Sequence, residues 1–205
     1  MISTPPSIDA LWLETLQRVS SRIAHELRGA LNGVAVNLEV VRTRSARAET
    51  PASAAATFAT AASEQFDVVM DMAEALLALS RAASGAADLS ATTMQFVALL
   101  APVAKADGRV LRVDGTLESI ARSSCDATAA RLAIGTALLA ASDAAGHVVC
   151  RAVGQTLIVE SEGGELSARL PDDVVSALKD AGIELQAEPS AISITFPVGQ
   201  GTDSE

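Results

Sequence analysis

The chain has 205 residues, of which 49% are hydrophobic and 20% charged, with a formal net charge of −10. That is enough apolar material for one large core or two small ones. The charge would repel phosphate backbones over most of the surface, and 2% aromatic residues with no tyrosine leave no stacking platform, so general nucleic-acid binding is excluded.

Two cysteines, Cys125 and Cys150, are too few for a disulfide framework and lack metal-ligand spacing, so they read as buried small hydrophobes. The N-terminus Met1-Ile2-Ser3-Thr4-Pro5-Pro6 has no basic flank of a secretory signal. Apolar runs stop short of the roughly eighteen residues of a membrane span, so the expectation is a cytoplasmic protein without a membrane partner.

A first long helix is expected from about Ile8 to Arg47, opened by Ser7 or the Ser3-Thr4-Pro5-Pro6 stretch. Its apolar stripe reads Leu16, Val19, Ile23, Leu27, Ala30, Val34, Leu38 and Val41, spaced three or four apart. His25 misses that stripe, lying about 200° around the helix from Ile23 at about 100° per residue. Its neighbours on the outer face are Arg18, Ser21, Arg22, Arg28, Gly29 and Asn32, all polar or small. A solvated face with intrahelical pairs such as Glu26 to Arg22 is the plain reading of such residues. Basic residues nevertheless gather here, since Arg18, Arg22, Arg28, Arg42, Arg44 and Arg47 all fall on this helix or its end. They suggest a positive collar around His25, suited to a phosphoryl group or to the acidic pocket of a partner.

Glycines inside a helix cost about 1 kcal/mol relative to alanine. Gly29, one turn after His25, would leave room for a partner's approach, and Gly33 would allow close helix contact. After a break at Thr50-Pro51 a second helix is expected from Ser53 to about Ala83, with Phe58, Ala62, Phe66, Val69, Ala73, Leu76 and Ser80 on one face. Val68, Met70, Met72 and Leu77 widen its apolar surface beyond what a lone hairpin buries. Pairing two hairpins into a four-helix bundle across a homodimer, or burial against the rest of the chain, would cover it.

Beyond Ser84-Gly85 the pattern mixes helices and strands. Helices are expected at Thr92 to Ala106, Asp126 to Ala141 with Asp126 as N-cap, and Pro171 to Asp180 before Gly182. Strands are expected at Arg109 to Val113, at His147 to Val153 and Thr156 to Glu160 as a hairpin around Gly154-Gln155, and at Ile183 to Ala187 and Ile192 to Phe196. The fold class is therefore α+β, a helical hairpin over residues 1–84 followed by an α/β sandwich over residues 85–205. His147 opens a strand without a companion cluster and reads as structural.

The run His25-Glu26-Leu27-Arg28 followed by Leu31-Asn32 resembles the phosphoacceptor box of bacterial sensor histidine kinases. The two long helices resemble that family's dimerisation and phosphotransfer hairpin, and the stretch from Val174 through Gly182 to Pro197 resembles the close of its ATP-binding domain. Nucleotide-holding groups depart from the family: its magnesium- and phosphate-binding asparagines read Leu138 and Ser142, and its adenine-recognising Asp-x-Gly reads Ser161-Glu162-Gly163. Its glycine-rich lid is replaced by the short acidic stretch from Glu165 to Asp173.

A retained phosphoacceptor beside a degenerate ATP domain resembles the ChpT-type bacterial histidine phosphotransferases. The resemblance implies phosphoryl transfer between a receiver-domain aspartate and His25, with Glu26 as proton acceptor or orienter and Arg28 and Arg22 offsetting charge. Arg18, Ser21, Gly29 and Asn32 would meet the partner. This chain would bind neither cofactor nor metal, Mg2+ coming from the receiver, and its partners would be response-regulator receivers and an upstream hybrid histidine kinase. Gly29 stands where kinases carry a polar residue for phosphatase activity and Ala30 where they carry proline, which implies weak phosphatase assistance and a straighter helix. The alternative is a non-catalytic pseudo-histidine-kinase module that docks a response regulator.

Overall fold

The computed structural model describes residues 6–47, 51, 53–82, 85–115, 117, 120, 123–143, 146–166 and 170–198. The chain order is α1 (Ile8–Ser45), α2 (Ser53–Ser80), α3 (Leu89–Ala106), β1 (Leu111–Val113), α4 (Ala127–Ser142), β2 (His147–Val153), β3 (Thr156–Glu162), α5 (Asp172–Asp180), β4 (Glu184–Ala187) and β5 (Ala191–Thr195). Side-chain caps set several starts. Ser7 Oγ accepts from the Ala10 N–H, Asp88 from Ala91, and Asp126 from both Thr128 and Ala129. Of the expected punctuation, Thr50, Ser84 and the Ser3-Thr4-Pro5 stretch lie outside the described residues.

The five strands form one mixed sheet in the order β1-β2-β3-β5-β4. Only β1 and β2 are parallel, and α4 makes the crossover that a parallel pair requires. The β2–β3 hairpin turns on Gly154 and Gln155, with Val153 opposite Thr156 and Gly154 at φ +57°. Its strand alternation places Val148, Cys150, Leu157 and Val159 inside with Ile192 and Ile194 of β5. The strand expected from Arg109 starts later, at Leu111. Arg109 instead donates to the Ser142 carbonyl, and the Val110 N–H donates to His147 Nδ1 at 3.1 Å.

Helix α4 contacts α1, α3 and α5 as well as the sheet, so its apolar surface goes all round it and Leu132, Ile134 and Leu138 are fully buried. Gly135 lies where three helices meet: a Cβ there would come within 2.7 Å of Phe96 and 3.1 Å of Thr15. Trp12 meets Phe96 edge to face, with centroids 6.2 Å apart. One contiguous core therefore runs from Leu11 on α1 to Phe196 after β5.

Buried residues of α1 are Leu11, Thr15, Val19 and Ile23 alone. The first half of this helix is thus a root set against α3 and α4, and the second half is a mast accompanied by α2. The expected stripe needs correction on the mast, where Leu38 is 53% exposed. On α2 the buried positions are Ala62, Val69, Met72, Ala75 and Leu79, while Phe66 and Ser80 of the expected face are exposed. Both helices carry more apolar surface than one hairpin covers, so amphipathic spacing alone does not choose the buried face. Gly33 does sit at a close helix contact, for a Cβ there would meet the Gln65 amide, which accepts from Asn37 at 3.1 Å.

Contrary to the sequence reading, α3 reaches the length and apolar composition of a membrane span. Its Phe96, Leu99 and Leu100 are buried in the core.

Candidate functional site

His25 stands where root becomes mast, two residues beyond Ile23, the last buried residue of α1. At about 1.5 Å of rise per residue it lies roughly 25 Å along a helix of nearly 60 Å. The imidazole is exposed, and Arg18, Ser21, Arg28, Gly29 and Asn32 are exposed with it. Their spacing of three, four, three, one and three residues keeps all of them on one side of the helix. A Cβ on Gly29 would meet nothing within 4 Å, so no contact among the described residues requires glycine there. The cost of that glycine buys open space one turn from the imidazole.

Glu26 is half-buried and lines a groove of ≈ 540 Å³ with Val68, Pro102 and Lys105. The groove continues past Gly29 and Ala30 to Gln65 and Met72. Among the described hydrogen bonds none joins Glu26 to His25.

The collar expected around His25 divides. Arg42 binds Glu39 at 2.8 Å, and Arg44 donates to the Ala54 carbonyl at 2.7 Å while lying 4.5 Å over the Phe58 ring. These two, with Arg47, sit at the far end of the mast, about 25 Å from His25 by helical rise. Sharing a helix did not make them neighbours. Arg22 is close in sequence but engaged, donating to Asp143 Oδ1 at 2.5 Å and to the Ser142 carbonyl at 3.1 Å. The expected pair of Arg22 with Glu26 is replaced by this link to α4. Arg18 and Arg28 remain on the exposed face, with no hydrogen bond or ion pair to them among the described residues.

Asp143 and Arg109 enter this neighbourhood without any sequence signal, since residues 121 apart carry no common spacing. Arg131 was missed for the same reason. From α4 its guanidinium donates to the carbonyls of Ala78, Leu79 and Arg81, capping the end of α2.

The positions at which the resemblance would put nucleotide-holding groups have the following surroundings. Leu138 is fully buried, and Ser142 Oγ donates to the Leu139 carbonyl of its own helix at 2.8 Å. Ser161 is buried against Gly146, where an added Cβ would lie 2.7 Å from Ser161 Oγ and 2.5 Å from the Glu162 carbonyl. Glu162 binds Arg112 at 3.1 Å. Of the stretch in place of the lid, Ser167, Ala168 and Arg169 lie outside the described residues. The described residues hold no group of three or more His, Cys, Asp or Glu arranged for a metal.

No protein-family model matches the chain, and no curated protein does. Among solved structures it is similar to a histidine kinase of Acinetobacter baumannii, AdeS, at 17% identity and a TM-score of 0.36, over 86% of this chain and 98% of that one.

Burial distinguishes the remaining candidate side chains. Cys150 is fully enclosed, and burial pushes its thiol up to about 12, which keeps it protonated near neutral pH. Cys125 is buried too, and its thiol is raised for the same reason. His147 Nδ1 accepts the Val110 N–H, a structural bond at the sheet's edge. Among the described residues only His25 combines an exposed imidazole with arginines on the same helix face.

Proposed function

We propose that this protein is a histidine phosphotransferase of a bacterial two-component phosphorelay, ChpT-like in design, which moves a phosphoryl group between a receiver-domain aspartate and His25. The observation that carries the reading is the exposed imidazole at the end of the buried root, on a face whose other members are polar or small. In the forward step Nε2 attacks phosphorus in line with the departing aspartyl oxygen. The P–N bond forms as the P–O bond breaks, and the receiver's carboxylate leaves with the electron pair. The Nδ1 proton stays on the ring, and Glu26 supports the resulting positive charge once a rotamer change brings its carboxylate to Nδ1. Arg28 offsets charge on the phosphoryl oxygens, and Arg18, Ser21, Gly29 and Asn32 receive the partner. Magnesium belongs to the receiver, the donor upstream is a hybrid kinase, and the exchange takes place in the cytoplasm.

Division of labour follows residues 1–84 and 85–205, the first presenting His25 and the second bracing it. Leu31, Val36 and Leu38 on α1 and Phe66, Met70 and Leu77 on α2 are exposed in the single chain. They form the contact of a homodimeric four-helix bundle. The test mixes the protein with a panel of receivers carrying labelled aspartyl phosphate. Wild type should acquire label and His25→Gln should not, while label on the variant would remove His25 from the chemistry. The groove beside Glu26 favours one second reading, a docking module that holds a receiver without accepting phosphate. In that case a receiver binds equally to wild type and His25→Gln and labels neither.

A further inference from the structure

Arg22 precedes His25 by three residues, a spacing that brings Cβ atoms within about 5–6 Å on a helix. A cation there would ordinarily serve whatever the imidazole carries. The fold directs it to the C-terminal end of α4, where Asp143 and the Ser142 carbonyl accept from its two terminal nitrogens and the helix dipole adds negative potential. The Ser142 carbonyl also accepts from Arg109 at 2.6 Å, and Arg109 is paired with Asp107. Arg22 is held with only 27% of its side chain exposed, and its buried Nε–H has no acceptor among the described residues. This clasp engages both terminal nitrogens, the paired donors that a phosphoryl group would otherwise accept from.

We propose that Asp143 is a positioning residue that withholds Arg22 from His25, so that a phosphoryl group on the imidazole stays loosely held and transferable. The inference rests on His25 being the phosphoacceptor. A guanidinium binds a phosphoryl dianion through paired, charge-assisted hydrogen bonds. Any such contact made to phosphohistidine but not to the receiver's aspartyl phosphate favours the phosphohistidine side of the exchange. Asp143 competes for the same guanidinium and keeps the two carriers nearer balance. Arg28, three residues after His25 and exposed, is then the adjacent cation on this face.

A plain staple between α1 and α4 would use the same ion pair, so the test separates breaking the pair from releasing the cation. Arg22→Ala breaks the clasp and releases nothing. Asp143→Ala breaks it and releases Arg22. The full chain is phosphorylated with phosphoramidate, which needs no partner, and the His25 resonance is assigned by its loss in His25→Gln. The phosphoryl group is then titrated by phosphorus NMR. In Asp143→Ala its titration midpoint should fall by about half to one pH unit, a three- to tenfold change in dissociation constant, the size expected of a partly exposed ion pair. Label shared with a receiver should shift toward His25 by the same factor. Arg22→Ala, Asp143→Glu and the Arg22→Ala/Asp143→Ala double variant should each stay close to wild type.

Equal midpoints in Asp143→Ala and Arg22→Ala would overturn the proposal and leave only the staple. Should the alanine variant unfold, Asp143→Asn keeps the side chain's size, removes its charge and gives the same discrimination. A wild-type His25 that no receiver labels would defeat the assigned function, while the phosphoramidate titration would still decide whether Asp143 withholds Arg22.

Discussion

Replacing Arg131 with methionine should loosen the junction between hairpin and second half while keeping most of the apolar stem. The lost donors serve the carbonyls of Ala78 at 3.2 Å, Leu79 at 3.3 Å and Arg81 at 2.7 Å. Arg81 is exposed, so water replaces that bond at little cost, whereas Leu79 is buried and Ala78 half-buried. Two poorly hydrated carbonyls at about 1 kcal/mol each, with about 0.5 kcal/mol for a cation at a helix C-terminus, give roughly 2.5 kcal/mol. Burial holds the Arg131 pKa below its usual value, with Asp126 opposing that shift. Desolvation therefore offsets part of the gain and brings the expected loss to about 2 kcal/mol. In urea the midpoint should fall with an unchanged slope, and Tm should fall by about 4–8 °C. Arg131→Lys, a point charge with one favoured partner, should lose less. Hydrogen exchange should quicken in the last turn of α2 before it does in β2 and β3. A loss under about 0.5 kcal/mol would show that water already satisfies these carbonyls and that Arg131 is no cap.

Two glycines should respond in opposite directions to alanine. Gly29→Ala meets open space and should raise stability by up to about 1 kcal/mol while slowing labelling by receivers, whereas Gly135→Ala presses on Phe96 and Thr15 and should cost about 1–3 kcal/mol in the same urea titration. Cys150 gives a pH signature: its thiol sits near 12 when folded against an ordinary 9.0. The unfolded chain loses that proton first, so stability from this group is complete below pH 9 and falls between 9 and 12 by as much as about 1.4 kcal/mol per unit. Cys150→Ala should remove that slope, and an identical slope in wild type and variant would assign it to other groups. Leu38→Glu and Phe66→Glu should leave a folded chain, because both side chains are exposed within it, but should convert a dimer to monomer in sedimentation. A wild-type monomer across the micromolar range would contradict the bundle.

Local signals were legible in the sequence because each has a short-range cause. Asp126 caps α4, Gly154-Gln155 turns the β2–β3 hairpin, and helical arithmetic placed His25 on an exposed face with Arg18, Ser21, Arg28, Gly29 and Asn32. Choosing among competing apolar faces was not legible. Thr15 is buried and Leu38 exposed, because the root packs on α3 and α4, with Thr15 beside Gly135 and Trp12 on Phe96, whereas Gly33 and Asn37 of the mast meet Gln65 of α2. The arginines show the same limit, since composition gathered six on one helix but could not say that Arg22 reaches across 121 residues to Asp143. Nor could it say that Arg42 and Arg44 are occupied at the far end.

The most direct measurement maps phosphate after incubation with a phosphorylated receiver in the absence of ATP. Mass spectrometry under alkaline conditions should find an acid-labile phosphoryl group on the peptide containing His25 and none on the peptide containing His147. Phosphate on another residue, or none on His25 from any receiver that binds, would contradict the account.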